Sequence, residues 1–85
     1  MENQNLYLTI STKSPKITRI EDIMEVIKST CVQAKLCRLD ERSDNFEISL
    51  LVEFENLDQL IKTKDKLIGI DNNINISFLD NKGIN

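Results

Sequence analysis

Leu6, Leu8 and Ile10 alternate with Tyr7, Thr9 and Ser11, the period of two that marks a half-buried strand, here over about residues 5–11. The chain's single proline, Pro15, then breaks the pattern. Thr18 followed by Glu21 reads as a capping box, in which the hydroxyl accepts from an orphan backbone N–H and the carboxylate reaches back. Ile20, Ile23, Met24, Ile27 and Cys31 repeat at helical spacing with Arg19, Asp22, Glu25 and Lys28 outside the stripe. This predicts an amphipathic helix over about residues 19–31.

A second, less regular strand is predicted over about 34–41, closed by Arg42-Ser43-Asp44-Asn45, whose Asp and Asn favour tight turns. Phe46, Ile48, Leu50, Val52 and Phe54 alternate with Glu47, Ser49, Leu51, Glu53 and Glu55. That is the cleanest strand pattern in the chain, over about 46–55, and its length suggests a central position. Asn56 and Gln59 open a second helix over about 57–68, with Leu57, Leu60, Ile61, Leu67 and Ile68 on its apolar side and Gly69 placed for a left-handed C-terminal cap. Ile74, Ile76 and Phe78 alternate with Asn75, Ser77 and Leu79 in a fourth strand over about 73–79, and the remaining residues read as a frayed tail.

The order βαββαβ, with one apolar face per element, packs most economically as an α+β ferredoxin-like sandwich. It is a four-stranded antiparallel sheet with two helices on one face and the first and third strands in the centre. The opposite face then has no cover from the chain itself. Tyr7, Thr9, Ser11, Ser49, Leu51, Glu53, Asn75, Ser77 and Leu79 are expected there, with Cys37 and Leu39 added from the second strand. Tyr7, Leu39, Leu51 and Leu79 form the expected apolar contact patch of this open face.

Composition narrows what such a domain can do. The chain has 85 residues, 40% hydrophobic and 29% charged, which suits one folded domain spanning 1–85. At this size about 60% of the unfolded chain's surface is buried on folding, so a partner surface is a natural source of added stability. There is no histidine, so Ser-His and Cys-His dyads are excluded. Cys31 and Cys37 stand six apart without a neighbouring base and read as reduced thiols; no metal site or cofactor is expected. The pairs Glu21–Asp22, Asp40–Glu41 and Glu53–Glu55 lie where carboxylates are simply solvated, so a non-enzymatic role is expected. A net charge of −3 lacks the basic footprint of a nucleic-acid binder. No apolar run exceeds Leu50-Leu51-Val52, far below the roughly 20 residues of a membrane span. One local cluster remains: Lys13, Lys16 and Arg19, with no intervening acid, lead into the first helix N-terminus and form a candidate site for a small-molecule or anion ligand.

Leu6-Tyr7-Leu8 and Leu51-Val52-Glu53-Phe54-Glu55 resemble parts of the two RNA-contacting motifs of the RNA recognition motif. Ser49 and Leu51 stand where that family stacks bases on aromatic rings, so RNA binding is the weakest alternative. From Leu6 to Asp80 the chain resembles the ACT-like regulatory domains. Their shared strand and helix order implies a regulatory or oligomerisation module, commonly a homodimer, some members binding an amino acid at the loop that here reads Thr12-Lys13-Ser14-Pro15-Lys16. The Ile-rich helix, the charged hairpin from Asp40 to Asn45, the strand from Phe46 to Phe54 and the ending Ile74-Asn75-Ile76-Ser77-Phe78-Leu79 are similar to the C-terminal cytosolic domains of small bacterial multi-pass membrane proteins of the MgtC-type group. That resemblance implies a cytoplasmic domain whose membrane helices would lie upstream in a parent chain, Met1-Glu2-Asn3 then being the start of an excised piece.

Overall fold

A computed structural model describes residues 4–13 and 19–80. The elements follow in the order β1 (Gln4–Thr12), α1 (Ile20–Thr30), β2 (Gln33–Glu41), β3 (Phe46–Phe54), α2 (Leu57–Ile70) and β4 (Asn75–Asp80). All strand pairs are antiparallel and the sheet order is β2-β3-β1-β4. The fold is ferredoxin-like, with β1 and β3 central as the alternation predicts.

Strand parity sets the core. Leu8 and Ile10 from β1 and Ile48, Leu50, Val52 and Phe54 from β3 turn to the helices and are buried, as are Ile23 and Ile27 of α1 and Leu67 of α2. Phe54 meets Phe78 of β4 edge to face with ring centroids 6.0 Å apart, a geometry that aligns the positive ring edge with the negative face. Connectivity fixes where each helix lies. Because α1 joins β1 to β2 it crosses the β2 side of the sheet, while α2 joins β3 to β4 and lies on the β4 side.

Three details depart from the sequence pattern. First, α1 starts at Ile20 with Arg19 as N-cap and no side-chain cap bond; Thr18, the expected cap, lies outside the described residues. Second, Gly69 is not a C-terminal cap: no glycine among the described residues has positive φ, and α2 continues to Ile70. Extending the helix lets Ile70 pack on the core, and Asp71 ends it in extended backbone, its carboxylate Oδ1 accepting from the Asn73 N–H at 2.9 Å. Third, β2 contains a bulge. Leu36 stands opposite Leu50 and Arg38 opposite Ser49, which leaves Cys37 as the extra residue and inverts the parity of everything after it. Leu39 therefore faces Ile48 on the helix side of the sheet, not the open side.

Candidate functional site

The open face is built by cross-strand register. Lys35, Leu51, Tyr7 and Leu79 stand directly opposite one another in sequence across β2, β3, β1 and β4, and Arg38, Ser49, Thr9 and Ser77 form the next row. Opposed residues share a face at about 4.5–5.5 Å, so the expected neighbours Tyr7, Leu51 and Leu79 are brought together in one row. Tyr7 and Leu51 are half-buried, and Leu79 is 54% exposed at the β4 margin. Leu39, expected to complete the patch, is removed from it by the bulge and is 44% exposed on the other side of the sheet. A shallow hollow of about 480 Å³ lies at one end of the row, between Asn5, Gln33, Lys35, Leu51 and Glu53.

Charge on this face is mixed. Asp40 stands opposite Glu47, a like-charge pairing that is unfavourable across strands. Arg38 Nε donates to Asp40 Oδ2 at 2.7 Å and offsets it. Tyr7 is the face's aromatic residue; Phe46 and Phe54 are buried in the core and Phe78 packs against it.

Of the three cations, Lys13 and Arg19 lie among the described residues. Arg19 donates from both Nε and a terminal guanidinium nitrogen to Glu21 Oε2, at 3.1 and 2.8 Å. Its charge is engaged on the surface by an acid two residues away. Lys13 is exposed, and Lys16 lies outside the described residues. At the foot of the loop sits a buried carboxylate that the sequence reading missed: Thr12 Oγ1 donates to Asp71 Oδ2 at 2.9 Å, with both residues buried. A negative group there opposes the anion that the cations were expected to hold.

A second buried polar contact joins the helices. Thr63 Oγ1 lies 2.7 Å from Thr30 Oγ1 and 2.8 Å from the Gln59 carbonyl, and its single proton serves one of them at a time. Thr30 Oγ1 in turn donates to the Val26 carbonyl at 2.8 Å. Cys31 adjoins this pair, its Sγ 3.9 Å from Thr30 Oγ1. Burial pushes its thiol above the usual value, and the Thr30 and Thr63 hydroxyls pull the other way by stabilising the thiolate. A thiol held protonated is a poor nucleophile. Thr12 could have been found from the sequence, since it continues the inward parity of Leu8 and Ile10; the partner of Thr63 could not, because it is set by helix packing.

Among the described residues no group of three or more His, Cys, Asp or Glu side chains is arranged to hold a metal ion. No helix there is long and apolar enough to cross a membrane.

No protein-family model matches the chain, and no curated protein does. Among solved structures it is similar to a de novo designed protein, Foldit4, with a TM-score of 0.58 and 13% identity, covering 91% of this chain and 93% of that one. At that identity the likeness speaks for the fold, which it supports over nearly the whole of both chains.

Proposed function

We propose that the chain is a non-catalytic regulatory or oligomerisation module that works as a homodimer. The observation that carries this is the placement of its exposed large apolar side chains. Four of them, Leu57, Ile61, Ile68 and Leu79, are at least 38% exposed and come from α2 and β4, the two elements at one margin of the sheet, while Val32, Leu36 and Leu39 lie at or beside β2, the opposite margin. A fold this small gains proportionately from covering such a surface. The ACT-like resemblance supports the reading through the shared βαββαβ order, and a role as the cytoplasmic domain of a bacterial membrane protein belongs to the same proposal. The anion-sensor alternative is not favoured, because Arg19 is engaged by Glu21 and a buried carboxylate, Asp71, is bonded to Thr12 where the loop begins. RNA binding is favoured still less, with Tyr7 as the open face's aromatic residue. Sedimentation across a concentration series tests the proposal: a mass rising to twice the 9.8 kDa of one chain is expected. A mass that stays at one chain at high micromolar concentration would remove it.

A further inference from the structure

The two edges of the sheet are not equivalent. β2 carries a bulge at Cys37 and the charges of Lys35, Arg38, Asp40 and Glu41, devices that keep an edge strand from pairing with another chain. β4 has neither. From Asn75 to Leu79 it is uncharged, free of proline, and in unbroken register with β1. Its outer edge has no strand beside it among the described residues.

The helix above this edge is apolar on the matching side. Thr63 faces α1 through its contact with Thr30, and Leu67 faces the core. At about 100° per residue, Leu57, Ile61 and Ile68 fall within about 40° of one another and roughly 120–160° around the helix from Thr63. They therefore line the flank of α2 that points away from α1, above β4. Ile61 and Ile68 are 40% and 38% exposed, and Ile76 and Phe78 of β4 lie half-buried on the helix side below them.

Resting on the reading of the chain as a homodimer, we infer that the partner at this margin is a second copy, joined by antiparallel pairing of β4 with β4 about a two-fold axis at Ser77. Side chains choose that register. A two-fold axis normal to the sheet requires the two opposed residue numbers to add to an even sum, since otherwise inward residues would face outward ones. Centring on Ser77 sets Ile76 against Phe78 of the other copy, and Phe78 against Ile76, on the helix side. Asn75 then opposes Leu79 on the open side. Asp80 then opposes Ile74 at the two ends of the ladder, outside the run Asn75–Leu79, so no charge is set within that run, which suits a chain of net −3. Centring one residue later, on Phe78, would bring Asp80 from the end of the ladder inward against Ile76, within the apolar run, and costs more desolvation of the carboxylate. The Ser77 register produces one continuous eight-stranded sheet and brings the Leu57, Ile61 and Ile68 flanks together over the seam.

Disulfide trapping tests the axis. In a Cys31→Ala/Cys37→Ser background, Ser77→Cys is oxidised with copper phenanthroline. Residues opposed across antiparallel strands have Cα atoms about 4.5–5.5 Å apart, within disulfide range. Near-complete covalent dimer is expected for Ser77→Cys, with little for Asn75→Cys or Leu79→Cys alone and recovery when those two proteins are mixed. In parallel, Ile61→Glu/Ile68→Glu should weaken dimerisation at least tenfold by sedimentation with its circular dichroism spectrum unchanged. If the wild type dimerises but Ser77→Cys does not cross-link and the native Cys37 does, the β4 axis is wrong while the homodimer stands. If the wild type is monomeric at every concentration, the homodimer itself fails.

Discussion

Replacing Thr63 by valine removes a hydroxyl from the helix interface while nearly preserving side-chain shape. Thr63 is fully buried and its Oγ1 sits 2.7 Å from Thr30 Oγ1. The substitution leaves Thr30 still donating to the Val26 carbonyl at 2.8 Å, so no buried donor is orphaned and the heavier penalty of an unsatisfied group is avoided. What is lost is one net hydrogen bond, about 0.5–1.5 kcal/mol. For a domain of this length a loss of about 1 kcal/mol lowers Tm by about 4–8 °C. Thr30→Val loses its bond to the Val26 carbonyl as well and should cost more, about 1–3 kcal/mol, although Thr63 retains the Gln59 carbonyl as acceptor at 2.8 Å. The double variant removes the same contact once. It should therefore cost about 1 kcal/mol less than the sum of the two single changes, a coupling of about 1 kcal/mol in a double-mutant cycle. Urea unfolding followed by far-UV circular dichroism gives all four stabilities. Additivity of the two single changes within about 0.3 kcal/mol would refute the contact.

Three further outcomes follow from the geometry. Because burial raises the Cys31 thiol in the folded state, its contribution to stability is intact below the free-thiol value of about 8.5 and declines as pH rises beyond it. Cys31→Ala should flatten that alkaline slope, and in Cys37→Ser protein the alkylation of Cys31 should accelerate at higher pH than that of a free thiol such as glutathione; an identical profile would contradict the burial effect. Leu39→Lys should change stability by no more than about 0.5 kcal/mol, since Leu39 is 44% exposed, while Ile48→Ala, directly opposite and fully buried, should cost about 2–5 kcal/mol in the same urea assay. Asp71→Ala takes the acceptor from Thr12 Oγ1 and from the Asn73 N–H and should cost about 1–3 kcal/mol by thermal melting, and a neutral result would show the contact to be dispensable.

Much of the fold is written in alternation. β1, β3 and β4 have inward and outward sets that never break step, so their faces, and the row of Tyr7, Leu51 and Leu79, can be read before any coordinates. In β2 the same reasoning fails because Leu36 and Leu39 are both inward yet three apart. Nothing in Lys35-Leu36-Cys37-Arg38-Leu39 says which residue is extra, since the bulge is specified by pairing with β3 and not by local preference. Gly69 misled for a related reason: glycine permits a left-handed cap without requiring one, and the burial of Ile70 with the anchoring of Asp71 decides where α2 stops. Threonine in a helix reads as surface, so Thr30 and Thr63 become visible as a pair after the helices have met. The cations of the first loop were legible as a cluster; the acid that meets Thr12, where that loop begins, belongs to a segment almost sixty positions away in the chain.

The bulged edge strand β2 also bears on the order in which the molecule assembles and comes apart. β2 and β3 are joined by a short turn in which the Arg42 N–H donates to the Asn45 carbonyl at 2.8 Å, so their pairing closes a small loop and can form early. The central β1–β3 ladder closes a loop of some forty residues and carries the larger entropic cost. In the finished protein the ranking inverts: every residue of β2 except Asp40 is exposed, whereas β1 and β3 bury alternate side chains in the core. The hairpin that nucleates most easily thus ends with its outer strand as the least protected part of the sheet, and amide exchange should begin there while β1 and β3 still hold.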